Sequence, residues 1–383
     1  MLDDTEIAVQ DLGGGEQVYP YPIPEEVYSS GSTTETWKLS TVIVKEQEKA
    51  CLCIWRHAKN ALTKYKSIRS GLIALQKLTF RYTDGEGANS EYGGDIISLK
   101  GTPANKDWFD YDVIAHEMGH WIMDRGNGQP TGQTVEHSFN QRSNLPTAYR
   151  EGWANYFSSV IRESFEYRDY TGNENRFSGY DLVDATQYAE NGVLYYVNGE
   201  SNSAYLFFAE YADNLLYERN VTIALWNLTE KGIEDYLFAE KIMIQNGGAE
   251  GFKEYYEKYM AALEAGKRIA AWEIFDKCKC AYDMELPVIT SLELRGTNLV
   301  LHATDNVGIA RVEWYVDDKS KHTSLPNGDP LSGDILVDIG TLGLTSRQSA
   351  VIKCEVYDFE GVQTRNRPRS DKCSEIIKDI TIP

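Results

Sequence analysis

His116, Glu117 and His120 are the residues whose types and spacing can do chemistry. They lie in Asp112-Val113-Ile114-Ala115-His116-Glu117-Met118-Gly119-His120-Trp121-Ile122, a His-Glu-x-x-His run. Its surroundings predict a helix. Val113, Ile114, Met118, Trp121 and Ile122 form an apolar stripe, and Asp110 and Asp112 sit where acids favour a helix start. Positions i and i+4 share a helix face, so both imidazoles can reach one ion. Zinc is served by such nitrogens and keeps a position open for water when catalytic. Glu117, beside the first histidine, can take a proton from that water.

Two histidines do not complete a catalytic zinc site, which usually holds three protein ligands. The plain alternative is a helix with two satisfied histidines and a surface acid. Against it stands a second amphipathic helix with an acid at its start, Tyr149-Arg150-Glu151-Gly152-Trp153-Ala154-Asn155-Tyr156-Phe157-Ser158-Ser159-Val160-Ile161. Packed beside the first, it can point Glu151 at the same ion. Gly152 and Ala154 are small enough to let the backbones approach.

This pair of segments resembles the gluzincin metallopeptidases, the thermolysin-like and aminopeptidase-like group whose third zinc ligand is a glutamate on a following helix. Glu151-Gly152-Trp153-Ala154-Asn155-Tyr156 is similar to the Asn-Glu-Gly-Phe-Ala run of the aminopeptidase branch, with Arg150 in place of the asparagine. The resemblance implies His116, His120 and Glu151 as Zn2+ ligands and Glu117 as general base. It also implies a role for Asn155, at the place where thermolysin-like enzymes carry an aspartate that orients a zinc histidine; an amide can accept the ring N–H but brings no charge. The metzincin pattern fails, because Met123 and Gly126 stand where it needs a glycine and a histidine. The oxyanion donor of the aminopeptidase branch is a tyrosine in a Tyr-x-x-Gly run entering a helix. Tyr196-Val197-Asn198-Gly199 matches that form locally, with Tyr205 in reserve.

The 383 residues suffice for two or three domains with a full core. A net charge of −20 leaves no basic surplus for phosphates, which argues against nucleic acid as a partner. No apolar run approaches membrane-spanning length. Met1-Leu2-Asp3-Asp4-Thr5-Glu6 is too acidic for a signal peptide, so no leader is expected in this chain. Six cysteines at 51, 53, 278, 280, 354 and 373 include two Cys-x-Cys doublets. Their even count points to disulfides and a secreted protein, with at least one bridge between the doublets. A four-thiolate zinc and buried free thiols are the rival readings.

Residues 1–40 read as loop, punctuated by Gly13-Gly14-Gly15 and Pro20, Pro22 and Pro24. Thr41 to Val44 reads as a short strand, Lys45 to about Ser70 as a helix, and Lys77 to Thr83 and Gly94 to Lys100 as strands. By the resemblance, the last of these forms the sheet edge on which a peptide lies antiparallel, with Gly93 and Gly94 allowing close approach. Residues 124–147 are rich in Gly, Asn, Gln and Pro, a loop of functional or mobile character. His137 within it is either a solvent-exposed histidine or a substrate contact. From 160 to 285 the periodicity predicts helices at Ser203–Tyr217, Val221–Glu230, Gly232–Ile244, Gly251–Ala265 and Ile269–Asp276. Two glycosylation triplets begin at Asn220 and Asn227.

At Pro287 the pattern changes to short alternating strands separated by Gly, Asn and Asp turns. Val312, Trp314 and Val316 would face inward, as would Ile352, Cys354 and Val356. Some seven strands suggest an immunoglobulin-like sandwich. Thr304 to Asp317 looks like the Ig-like modules of bacterial and archaeal secreted proteins, usually spacers or docking domains. The loop Thr364 to Lys372 is basic.

The expectation is an α+β protein. Residues 1–286 form a gluzincin-type domain with a small mixed sheet, an edge strand, two zinc helices and a helical lobe over about 160–286. Residues 287–383 form a C-terminal β-sandwich. The expected function is a secreted zinc peptidase acting on peptides or proteins through Glu117 and Tyr196, endopeptidase favoured because no acid cluster that would grip a free amino terminus is identifiable. The alternatives are a non-catalytic adhesion or scaffold protein with a vestigial zinc fold, and hydrolysis of a non-peptide bond.

Overall fold

The computed structural model describes residues 2–3, 7–11, 46–68, 76–82, 90–102, 105–126, 128–137, 141–164, 166–170, 177–181, 193–197, 200–206, 215–233, 235, 248–281, 286–305, 308–325, 332–358 and 374–382. Helices and several small sheets alternate, an α+β arrangement. The chain divides into two compact units: Met1–Gln129, Arg150–Asp184 and Glu190–Phe207, and Pro130–Tyr149, Ala185–Ala189 and Phe208–Pro383.

In the first unit a five-stranded sheet is built from β1 (Leu2–Asp3), β2 (Ile7–Asp11), β3 (Leu78–Tyr82), β4 (Glu91–Gly93) and β5 (Ile96–Leu99). Its order is β1-β2-β3-β5-β4, with β2, β3 and β5 parallel and the outer strands antiparallel. Two sequence expectations are corrected here. Residues 1–40 are not all loop, since 2–3 and 7–11 pair in the sheet. The strand at 96–99 is internal, and the edge is β4. The turn between β4 and β5 places Gly94 and Asp95 at φ of 57° and 70°, the two left-handed residues of a tight hairpin turn. The expected strand at 41–44 lies outside the described residues.

Helix α1 (Glu46–Ile68) buries Ala50, Ile54, Ala58, Ala61, Leu62 and Tyr65, the i, i+4, i+7 stripe that a sheet-covering helix needs. His57 on this helix stacks on Tyr111, with ring centroids 4.9 Å apart. Burial, helped by Arg56, lowers its pKa from 6.5 to about 4. A base whose folded pKa is depressed binds its proton more readily when unfolded, so its cost is absent above pH 6.5 and grows as pH falls toward 4. Allowing for partial exposure, we expect acid to remove about 2 kcal/mol through this residue. Urea titrations from pH 7 to 4 should show a shallower loss for His57→Phe than for the native chain.

Two short strands, β6 (Gly101–Thr102) and β7 (Asn105–Lys106), form a small hairpin, and a 3-10 turn at Asp107–Phe109 leads into α2 (Tyr111–Arg125). Asp110 caps α2: its carboxylate accepts from the Asp112 and Val113 N–H groups at 2.8 and 3.3 Å. Strand β8 (Ser143–Asn144) precedes α3 (Leu145–Arg162), which starts four residues before the predicted helix.

The stretch after α3 departs most from expectation. Instead of a helical lobe from 160, it carries β9 (Glu166–Tyr170), β10 (Phe177–Asp181), β11 (Val193–Val197) and β12 (Glu200–Leu206), an antiparallel meander in the order β12-β11-β10-β9. The expected helix at 203–217 is corrected: Ser203–Leu206 belong to β12, and Leu215–Leu216 form β13, paired with β8. Helices resume with α4 (Glu218–Glu230), α5 (Phe252–Ala262) and α6 (Ala265–Lys277). The helix expected over 232–244 falls mostly outside the described residues.

Phe252, Tyr255, Tyr256, Tyr259 and Phe275 pack ring on ring between α5 and α6. The Arg268 guanidinium donates to the Met260 and Ala261 carbonyls, satisfying the exposed end of α5. Asn220 and Asn227 are buried within α4, so neither glycosylation triplet presents its amide to solvent. The described part of the 124–147 loop is pinned rather than loose: Thr131 and Gly132 N–H groups donate to the Ala249 and Glu250 carbonyls.

From Val288 onward seven strands form two antiparallel sheets. The first holds β14 (Val288–Arg295), β15 (Asn298–Thr304) and β18 (Ser332–Asp338). The second holds β16 (Ile309–Val316), β17 (Lys319–Ser324), β19 (Ser349–Asp358) and β20 (Ser374–Thr381), in the order β17-β16-β19-β20. One cluster of buried residues draws on both, including Leu299, Leu301, Val312, Trp314, Ile335, Val337, Ile352, Cys354 and Val356. The period-two alternation puts Val312, Trp314 and Val316 inside and leaves Arg311, Glu313 and Tyr315 partly exposed. The Trp314 indole N–H donates to Ser324 Oγ at 2.9 Å, which removes the cost of burying it. The basic loop at 364–372 lies outside the described residues.

The expected bridge between the cysteine doublets is not formed. Cys51, Cys53, Cys278, Cys280 and Cys354 are thiols, and Cys373 lies outside the described residues. Burial pushes the Cys354 thiol up to about 12, and Cys278 is raised by burial as well. Both behave as small core hydrophobes.

Candidate metal centre

Helices α2 and α3 run antiparallel. The first turn of α2 meets the last turns of α3, where the Asp112 carboxylate pairs with Arg162 and accepts from Ser158 Oγ at 2.9 Å. This buried charge is therefore paired and hydrogen-bonded, as burial requires. Midway, the backbones close up at Gly119. A Cβ placed there would sit 3.2 Å from Ala154 Cα and 3.3 Å from Phe157 Cδ1. The glycine inside the His-Glu-x-x-His run thus has a packing role that sequence reading missed. It had assigned the close approach to Gly152 and Ala154, and Ala154 is in contact with Gly119.

At this closest approach His116, His120 and Glu151 converge. His116 Nε2 and His120 Nε2 are 3.1 Å apart, and Glu151 Oε2 lies 3.2 and 3.1 Å from them. Among the described residues this is the one group of three or more His, Cys, Asp or Glu side chains placed to hold a metal ion. The three donors form a near-equilateral triangle. Tetrahedral zinc with bonds of about 2.0–2.1 Å holds its ligand atoms roughly 3.3 Å apart, so the triangle has the right size.

The protonation states also fit. Burial lowers the His120 pKa to about 4, despite the opposing pull of Glu151, so its imidazole is neutral near pH 7. Burial opposes charge on Glu151, but the two histidines overcome it and hold the carboxyl well below its usual range. A neutral His120 imidazole and an ionised Glu151 carboxylate are forms that bind a metal ion. Asn155 Oδ1 lies 2.7 Å from His116 Nδ1. An amide oxygen only accepts, so that ring nitrogen carries the proton and Nε2 keeps its lone pair. Asn155→Ala is expected to weaken metal binding about 10- to 100-fold, while Asn155→Asp preserves it. Titration against a competing chelator measures the difference.

Glu117 is buried beside this triangle, with the Tyr92 main chain of β4 near its carboxylate. Burial raises its pKa from 4.5 to about 7; Glu151 adds to the rise, and His116, Arg150 and the Tyr92 N–H oppose it. A carboxyl poised near neutrality can both take and give a proton at pH 7. The edge strand is fastened to the end of α2, because Tyr92 Oη donates to Asp124 at 2.7 Å and Arg125 pairs with Asp95. Tyr92 was not singled out by sequence. It belongs to the strand that sequence placed one hairpin arm too late.

Tyr196, the expected oxyanion donor, lies in β11, with Gly179 of β10 as its register partner, rather than at a helix entry. Tyr205 lies in β12 opposite Leu194. Neither side chain is among those described. His137 is not spent on the metal triangle: its Nδ1 lies 2.8 Å from the buried Glu218 carboxylate, and its side chain is 36% exposed.

A two-histidine, one-glutamate triangle with a buried glutamate beside it is a donor set that fits a metal ion. The chain belongs to the mycolysin family: the Mycolysin C-terminal domain matches residues 74–275, just over half of the sequence and the whole of the triangle. No curated protein matches. Among solved structures, the chain is similar to aminopeptidase A of Legionella pneumophila in complex with aspartic acid, at 14% identity and a TM-score of 0.35. That likeness covers 76% of this chain, which spans 32% of the length of the other.

Proposed function

We propose that the protein is a secreted zinc peptidase in which His116, His120 and Glu151 hold Zn2+ and Glu117 is the general base. The observation that carries this reading is the 3.1–3.2 Å triangle of two imidazole nitrogens and a carboxylate oxygen. When bound, zinc supplies Lewis acidity toward a peptide carbonyl and makes a coordinated water easier to deprotonate. Glu117 takes that proton and passes it to the leaving amine. Asn155 fixes the tautomer of His116.

The substrate in this reading is a peptide lying along β4. Among the described residues β4 pairs on one side only, and Gly93 and Gly94 have no other atoms within 4 Å of where a Cβ would project. A peptide held along an edge can extend past the cleavage point in both directions, which favours an endopeptidase. Tyr196 remains the proposed oxyanion donor. Among the described residues no helix is long and apolar enough to cross a membrane. We assign the catalytic machinery to a gluzincin-type domain over 1–286 and an Ig-like docking sandwich to 287–383. The sandwich reading draws on the two sheets and their shared core.

Cleavage of unfolded casein and of an internally quenched peptide with a blocked amino terminus tests the reading. Activity that a chelator removes, zinc restores and Glu117→Ala lacks supports it. Hydrolysis confined to substrates with a free amino terminus overturns the endopeptidase assignment, and no hydrolysis favours a scaffold with a vestigial site.

A further inference from the structure

Arg150 precedes the third residue of the triangle on α3. Its Nε lies 3.8 Å from Glu151 Oε1, the carboxylate oxygen not engaged by the two histidines. That separation is too long for a hydrogen bond, and Nε is buried without a hydrogen-bond partner among the described residues. About a quarter of the side chain is open to solvent. The buried Nε, 3.8 Å from Glu151 Oε1, sets the inner end of the side chain beside the triangle.

A cation there needs a reason. The chain carries a net −20, so this cation belongs to no basic surplus. A guanidinium close to a divalent-ion site adds repulsion, which falls off slowly in a buried environment. With a divalent ion, Arg150, Glu151 and an ionised Glu117, the site holds one unbalanced positive charge. An anion is what such a site accommodates. A donor without a hydrogen bond is buried beside the Glu151 carboxylate.

We propose that Arg150 is a catalytic residue that donates to the carbonyl oxygen as it becomes an oxyanion. This rests on the peptidase reading and deepens it. As water adds to the carbonyl carbon, the C=O π pair moves onto oxygen, where Arg150 meets it, and the water proton goes to Glu117. When the C–N bond breaks, that pair re-forms the carbonyl, the bond pair leaves with nitrogen, and Glu117 returns the proton to the amine. Donors aimed at charge that develops only in the transition state act on kcat rather than on KM.

The test compares the zinc-loaded native protein with Arg150→Gln and Arg150→Lys in three measurements. On a quenched peptide, Arg150→Gln is expected to lower kcat about 100- to 1000-fold at nearly constant KM, with partial recovery in Arg150→Lys. In calorimetry, a phosphonamidate peptide, whose tetrahedral anion mimics that oxygen, should lose a comparable factor in affinity for Arg150→Gln. In chelator competition, zinc affinity should stay unchanged. A rise in KM with kcat intact overturns the proposal and makes Arg150 a ground-state substrate contact. Collapsed zinc affinity overturns it too, making Arg150 a support for Glu151. If the native protein cleaves no peptide, the peptidase reading fails, and phosphonamidate affinity alone decides Arg150: native binding that Arg150→Gln loses supports anion recognition, and equal or absent binding overturns it.

Discussion

Replacing Glu117 with glutamine is expected to abolish peptide hydrolysis, lowering kcat by at least about 1000-fold, while metal content stays stoichiometric. The two effects separate because Glu117 is not one of the three converging donors. Glutamine keeps the shape, but it cannot carry a proton away from water. General base catalysis alone is worth about 100- to 10,000-fold. Here the same group also delivers the proton to the leaving amine, so the loss should lie toward the upper end. The pH profile supplies an independent check. A base whose pKa is raised by burial to about 7 in the metal-free protein loses activity as pH falls through that pKa. A nearby divalent cation lowers it, so the acidic limb of kcat/KM should lie below pH 7 in the loaded enzyme. Casein assays paired with elemental analysis would measure both properties in one preparation.

The second large effect is expected at Gly119, far from any reacting atom. Gly119→Val must fit a branched side chain where even a Cβ lies 3.2 Å from the backbone of Ala154. Overpacking of this kind costs about 1–3 kcal/mol, and a β-branched residue on so tight a helix contact belongs at the top of that range. Functionally the change should exceed its thermodynamic size. His120 follows Gly119 directly on α2, and Glu151 lies three residues before Ala154 on α3. Pushing the helices apart by a few tenths of an ångström stretches a triangle whose edges are 3.1–3.2 Å, and metal sites tolerate only about 0.2 Å. Thermal melts with and without added zinc would show the native protein stabilised by the ion and Gly119→Val much less so. Equal zinc-induced shifts would show that the close contact does not set the ligand geometry.

How much of this was legible depended on whether the signal was local. The α2 helix was readable because its cap, apolar stripe and i, i+4 histidines all lie within sixteen residues, and the cap at Asp110 forms as the acids implied. The strands after Pro287 were readable for the same reason: Val312, Trp314 and Val316 alternate with polar neighbours, and a period of two can only be a half-buried strand.

Where partners are distant in sequence, local pattern gave the wrong answer. The 166–206 meander is made of polar and tyrosine-rich strands such as Glu166–Tyr170 and Glu200–Leu206, with few β-branched residues to announce them. Their pairing partners supply what propensity does not. Strand order in the first sheet is likewise a matter of long-range pairing: β2 lies beside β3 across some seventy residues of chain, and β4 rather than β5 takes the edge.

The site itself divides in the same way. Spacing pointed to His116, Glu117 and His120, and the Glu-Gly-Trp-Ala run pointed to Glu151. Arg150 was visible only as a departure from a familiar motif, and Gly119 looked like filler inside it. The buried Asp112–Arg162 pair that aligns the two helices carried no signal, because a charged residue on a predicted helix reads as solvent-facing until its partner is known.

Metal content tests the central claim most directly. Elemental mass spectrometry of the purified protein should find one zinc per chain. Glu151→Ala and His120→Ala, each shown by circular dichroism to be folded, should hold almost none after dialysis against the same buffer. Stoichiometric zinc retained by both folded variants would contradict the account, because the ion would then be bound somewhere other than the triangle of His116, His120 and Glu151.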